Sequence, residues 1–153
     1  MAHEPSSAKW WPLLLPIGYL LHLAEEWWCG EGFAAWTARA VGTGVSPTRF
    51  IIVNSVVWPL FAVLTVLAFK KPALAWFPTT FATVVIINAV LHALGTLATA
   101  AYSPGLITGL AIYLPVGGRV LVSGHRELSP RAFTFAALLG VLIHAVVVVI
   151  AFA

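Results

Sequence analysis

Charge is what this chain has least of: among 153 residues there are five acidic and eight basic side chains, 8% in all, against about a quarter in an average soluble domain. So little polar surface cannot coat a water-soluble globule. A single cysteine, Cys29, excludes an internal disulfide and any thiolate-rich metal site. Basic runs are missing too. The eight Lys and Arg, giving a net charge of +3, are scattered between apolar segments, where they orient a membrane protein rather than bind nucleic acid. No small-residue cleavage site follows the first apolar run, so a signal peptide fits poorly.

What is present is apolar. Hydrophobic residues make up 61% and aromatics 12% of the chain, mean hydropathy is +0.98, and several runs approach the ~20 residues that cross a bilayer. The expected fold is an all-α, polytopic membrane helix bundle of about five transmembrane helices, forming one unit over residues 1–153. The helices are expected at 10–28, 50–69, 74–100, 106–122 and 131–153. Between the first two, Cys29 to Arg49 is a polar, glycine-containing connection whose Phe33 and Trp36 suit a short interfacial helix. Lys70-Lys71-Pro72 ends the second helix, Tyr102-Ser103-Pro104-Gly105 is a turn, and Ser129-Pro130 starts the last helix. Pro115, Gly117 and Gly118 interrupt the fourth helix, and its Arg119 is expected to snorkel. With five crossings, Lys9, Lys70, Lys71, Arg119, Arg126 and Arg131 share one side and Arg39 and Arg49 the other. The positive-inside rule then puts the N-terminus in the cytoplasm.

Against this background a few polar residues stand out. Glu25 and Glu26 close the first apolar run, where an ionised carboxylate costs ~2.5 kcal/mol or more near mid-membrane. At 100° per residue His22, Glu25 and Glu26 fall within about a 100° arc and can face one neighbour. Asn88 and His92 share a face of the third helix. Counting ~1.5 Å per residue from the predicted cytoplasmic ends, His22 lies roughly 18 Å in, Glu26 about 24 Å, Asn88 about 21 Å, His92 about 27 Å and His144 about 20 Å. Asn54, near the outer start of the second helix, falls at a similar level. Four helices therefore bring His22, Glu25, Glu26, Asn54, Asn88, His92 and His144 to one layer in the outer half of the membrane.

Three histidines with two glutamates suit Zn, Fe, Mn or Cu, and a bound dication offsets the cost of keeping carboxylates ionised in an apolar bundle. His22, Glu25, Glu26, His92 and His144 are the expected metal ligands. Glu26 is also a candidate general base, with Asn54 and Asn88 orienting ligands or substrate. The simpler alternative for each histidine is a helix-packing hydrogen bond, and Glu26 has His22 and Arg49 as alternative partners. Cys29, His125 and His3 are expected to be inert or solvated, the tryptophans are mostly interface anchors, and Trp58 is a candidate cavity wall.

His22-Leu23-Ala24-Glu25-Glu26 reads H-x-x-E-E. With Asn88-x-x-x-His92, the Tyr102-Ser103-Pro104-Gly105 turn, Thr108, Pro115 and His144 in that order, the chain resembles the HXXEE domain family over nearly its whole length. These are small bacterial multi-helix membrane proteins to which no reaction is attached. The resemblance implies that His22, Glu25, Glu26, Asn88, His92 and His144 act together, and that the protein sits in a bacterial inner membrane. It differs from the soluble di-iron bundles, which use E-x-x-H on two helices.

The leading expectation is a metal-dependent membrane enzyme acting on a hydrophobic or lipid-like substrate, since no fixed cation in the core awaits a phosphate or carboxylate. One alternative is metal-free acid–base catalysis, an isomerase or cyclase of sterol- or terpene-like lipids. Another is a non-enzymatic metal- or haem-binding protein or accessory subunit. Expected partners are the lipid bilayer and a hydrophobic small molecule, and small residues at Gly95, Gly109 and Ala98 to Ala101 permit close packing within a chain or in a homo-oligomer.

Overall fold

Apolar runs with no water to satisfy their backbone must close their hydrogen bonds internally, and continuous runs of about 20 residues do so as helices, whereas barrel strands are about 10 residues of alternating hydrophobicity. The computed structural model describes residues 10–153; His3 and Lys9 lie outside them. A 3₁₀ turn at Trp11–Leu13 leads into α1 (Leu14–Trp28), followed by α2 (Phe33–Val41), α3 (Pro47–Ala68), α4 (Phe77–Thr99), α5 (Leu106–Glu127) and α6 (Pro130–Phe152). No strand occurs among the described residues. The protein is an all-α integral membrane helix bundle: α3, α4 with its lead-in, α5 and α6 are each long and apolar enough to cross a membrane. With 15 residues, α1 spans only ~22 Å and falls short of the others.

The boundaries follow local chemistry. Pro47 and Pro130 take first-turn positions, where a missing N–H costs nothing. The Ser129 side chain accepts from the Ala132 N–H at 3.2 Å and caps α6. The first and third expected helices start later, at Leu14 and Phe77, each after a 3₁₀ turn (Trp11–Leu13 and Pro72–Leu74), and two further boundaries differ from the sequence expectation by three residues or more. The second long helix starts at Pro47 rather than 50, because the Ser46-Pro47 pair is itself a start signal. The helix expected at 106–122 runs on to Glu127, and Pro115 does not break it. Gly109–Gly117 is wound as a π-helical segment, a wider winding that accommodates an interruption of the usual ladder. Arg119 is exposed and also finds a local partner, its guanidinium lying 4.4 Å from the centre of the Trp11 ring. That contact sets the start of α1 beside α5, at the end of the bundle that carries Lys70, Lys71, Arg126 and Arg131.

The centre of the bundle is α4, which buries Phe77, Phe81, Ala82, Val84, Val85 and Ala89. Phe61 of α3 meets Phe77 and Phe81 edge-on, with ring centres 5.5 and 4.5 Å apart. Lipid is as apolar as these side chains, so close packing and hydrogen bonds between helices must hold the bundle. Thr80 of α4 donates to the Ala136 carbonyl of α6 at 2.9 Å. Gly140 of α6 lies so near the Thr80 carbonyl and Thr83 that a Cβ there would be 2.7 Å from each. Gly109 packs on Ala89, and Gly95 receives the Trp36 ring; both close contacts lie within one chain.

Candidate metal centre

The H-x-x-E-E segment forms the last two turns of α1, and its geometry separates the two glutamates. Glu25 lies 300° beyond His22 and Glu26 lies 400° beyond it at 100° per residue, so they flank the histidine on opposite sides. Each faces a different neighbour.

Glu26 faces α4. Its Oε1 is 3.5 Å from His22 Nε2 and 3.3 Å from His92 Nε2, and all three residues are buried. One ligand atom from each lies within 4.8 Å of the others. Tetrahedral zinc with ~2.0–2.1 Å bonds sets its ligand atoms ~3.3–3.4 Å apart, so these two separations fit a shared dication. The imidazole rings sit 5.0 Å apart, edge to face.

The other nitrogen of each imidazole is held by a hydroxyl. His22 Nδ1 is 2.8 Å from Thr108 Oγ1 and His92 Nδ1 is 2.9 Å from Ser103 Oγ. Thr108 has one hydroxyl proton, and it donates that proton to Glu25. Its oxygen must therefore accept from His22, which makes Nδ1 the protonated nitrogen and leaves Nε2 with a lone pair that could bind a metal, the arrangement usual at metal-binding histidines.

Glu25 faces the start of α5. Its Oε1 accepts from the Tyr102 hydroxyl (2.5 Å) and the Ile107 N–H (2.9 Å), and its Oε2 from the Thr108 N–H (2.7 Å) and the Thr108 hydroxyl. A carboxylate at a helix N-terminus satisfies otherwise unpaired N–H groups and favours the helix dipole. Both oxygens are engaged in this way, so Glu25 stands beside the His22–Glu26–His92 group and supports it through Thr108. Burial, together with the Glu25 carboxylate, holds the Tyr102 phenol well above its ordinary range, which keeps it a donor.

The turn between α4 and α5 brings these supports into place. Gly105 has φ +105°, and a Cβ there would be 2.7 Å from Cε1 of both His22 and His92. Only glycine satisfies both the backbone and the space. The Ser103 N–H donates to Thr96 at 3.1 Å. From the π-helical segment of α5, Tyr113 stacks on His22 with ring centres 4.5 Å apart. On the far side of the cluster α2 closes over His92, with Phe33 at 5.3 Å and Trp36 behind it. A fork from Arg39 to Glu31 Oε1 ties down the connection before α2, and this hydrogen bonding holds the Glu31 carboxyl below its usual range.

A cavity of about 110 Å³ adjoins the cluster, with His22, Glu26, Asn54, Asn88 and His144 in its wall. His144 is 8% exposed, and His22 Nε2, Asn88 Oδ1 and His144 Nε2 are buried without a hydrogen-bond partner. Asn54 is engaged: it accepts from the Tyr19 hydroxyl at 2.7 Å and donates to the Phe50 carbonyl at 2.8 Å. The structure thus brings His22, Glu26 and His92 into one group, adds Asn88 and His144 across a cavity, and gives Asn54 to Tyr19. Trp58 donates to the Pro16 carbonyl at 2.9 Å and ties α3 to α1. His125 sits at the end of α5 against Phe133. Arg49 is exposed and Glu26 pairs with the histidines instead. Sequence reasoning did not assign roles to Ser103, Gly105, Thr108, Tyr19 and Tyr113, although the first three lie in or just after the Tyr102–Gly105 turn.

A family model described as a protein of unknown function with HXXEE motif matches residues 13–120, a span that holds His22, Glu25, Glu26, Asn88 and His92 and ends before His144. No curated protein and no solved structure matches the chain.

Proposed function

The chain belongs to the HXXEE family, and starting from that membership we propose that it is a metal-dependent enzyme of the bacterial inner membrane acting on a hydrophobic, lipid-like substrate. One observation carries this reading. Two imidazole Nε2 atoms and a carboxylate oxygen converge in a buried site, each imidazole is held from behind by a hydroxyl, and a cavity adjoins them.

Three protein ligands with room for a fourth partner is the pattern of catalytic rather than structural zinc sites. His22, Glu26 and His92 hold the ion, while His144 is a fourth ligand or a substrate contact. A bound Zn- or Fe-class dication supplies Lewis-acid polarisation of a substrate oxygen or an activated water. Glu26 balances its charge and is the carboxylate placed to take a proton, Thr108 and Ser103 keep the imidazoles turned toward the ion, and Tyr113 and Phe33 exclude water. A haem reading has less support: cofactor pockets run to ~300–1,000 Å³, and this cavity measures about 110 Å³.

A metal-free reading has its own support in the 3.3 Å contact of His92 with Glu26, which suits an acid–base pair acting on an apolar lipid. Elemental analysis of detergent-purified protein separates the two. Close to one transition-metal ion per chain is expected, lost in both His22→Ala and His92→Ala. Failure to retain any of Zn, Fe, Mn or Cu after reconstitution refutes the metal reading and leaves the acid–base one.

A further inference from the structure

The cavity is built asymmetrically. In its wall, Asn88 Oδ1 and His144 Nε2 are buried and without partners, and so is His22 Nε2 of the cluster. Apart from the cluster residues His22 and Glu26 and the side chains of Tyr19, Asn54 and Tyr113, the rest of its wall is apolar and follows the seam between α3 and α6 through Val53, Val57, Val147 and Val148. Val148 is 37% exposed on the outer surface of the bundle, so the seam reaches the bilayer. The unpaired atoms of Asn88 and His144 need an occupant that hydrogen-bonds to both.

The chemistry of that occupant follows from the wall. Asn88 Oδ1 can only accept, so the occupant must bring a proton; His144 Nε2 accepts or donates according to its tautomer. A hydroxyl, which donates one hydrogen bond and accepts another, satisfies both atoms, whereas a ketone or ether satisfies His144 alone. No lysine or arginine lines the cavity among the described residues, and an ionised carboxylate head group brings no proton for Asn88 Oδ1. An ammonium head group is repelled by a dication at His22, Glu26 and His92. The volume of about 110 Å³ is below the 150 Å³ of an engineered cavity that takes benzene. It admits a head group and leaves the chain in the seam.

We propose that this cavity is the head-group pocket for a neutral, long-chain alcohol taken from the bilayer between α3 and α6, its hydroxyl held by Asn88 and His144. Its role as a substrate pocket and its exclusion of an ammonium head group rest on the metal-enzyme reading; the hydroxyl contacts with Asn88 and His144 do not.

The test uses full-length, zinc-loaded protein in lipid nanodiscs and a dodecanol analogue carrying a diazirine near the hydroxyl. Photolabelling is expected on the α4 and α6 peptides that carry Asn88 and His144. Unlabelled 1-dodecanol should displace it at least tenfold better than dodecanoate or dodecylamine. Asn88→Leu and His144→Leu should each weaken displacement about tenfold, the loss of one hydrogen bond, and Val148→Trp should block labelling from the side. An unchanged thermal unfolding midpoint and helical circular dichroism check that Asn88→Leu is folded. In His22→Ala the labelling should persist while the metal is lost, so failure of the metal reading and failure of the pocket give different results. Equal displacement by dodecanoate or dodecylamine, uniform labelling of all lipid-facing helices, or labelling unchanged in both leucine variants and in Val148→Trp would overturn the proposal.

Discussion

Glu25→Gln tests whether the first glutamate of the motif supports the site or belongs to it. The carboxylate accepts four hydrogen bonds, two at each oxygen. A glutamine keeps one oxygen and turns an NH₂ toward the other two donors, so two charge-assisted bonds are lost at ~1.5 kcal/mol or more each. Losing the negative charge at the start of α5 adds up to ~1 kcal/mol, for a total of about 3–4 kcal/mol. The second consequence concerns the metal. With the NH₂ on the Thr108 side, the Thr108 hydroxyl accepts from it and can donate to His22 Nδ1, which moves the imidazole proton to Nε2 and removes the lone pair proposed to bind the ion. Loss of such outer support typically costs 10–100-fold in affinity. Thermal unfolding in detergent together with zinc competition against a chromophoric chelator measures both effects. Thr108→Val should reproduce the affinity loss, and Thr108→Ser should stay near wild type. If Glu25→Gln unfolds and binds zinc as the wild type does, the support argument is wrong. If it abolishes binding as completely as His22→Ala, Glu25 is itself a ligand.

Gly105→Ala forces a Cβ against both imidazoles at a φ of +105°, a backbone cost of ~1–3 kcal/mol; metal content should fall to background while the far-ultraviolet circular dichroism stays helical. Phe33→Ala opens the cover over His92, so the rate of zinc extraction by EDTA should rise several-fold with stoichiometry unchanged. Gly140→Leu drives a side chain into the Thr80 carbonyl and Thr83, and overpacking of ~1–3 kcal/mol should lower the melting temperature of the detergent-solubilised protein.

The membrane class, the helices and the polar layer were legible in the sequence because each depends on quantities counted along the chain. Run length against bilayer thickness identified the long helices, and prolines and glycines marked their ends. A fixed rise per residue brought His22, Asn88, His92 and His144 to a common depth before any contact was known. The helical period also gave the angle between Glu25 and Glu26, but an angle does not say which neighbour stands there. Tertiary packing decided that: α4 meets one flank of His22 and the start of α5 meets the other, so Glu26 joins the histidines and Glu25 supports the turn.

Packing also decided the parts that carry no sequence signal. Serine and threonine are ordinary in membrane helices, and only the fold shows that Ser103 and Thr108 hold the two imidazoles. Gly105 reads as a turn residue until two rings are found where its side chain would be. Pro115 reads as a break until the π-helical segment accommodates it and Tyr113 of that segment stacks on His22. Depth and helix face are one-dimensional properties that a sequence fixes. The pairing of donors with acceptors across helices depends on distances between segments far apart in the chain, and these exist only once the bundle has closed.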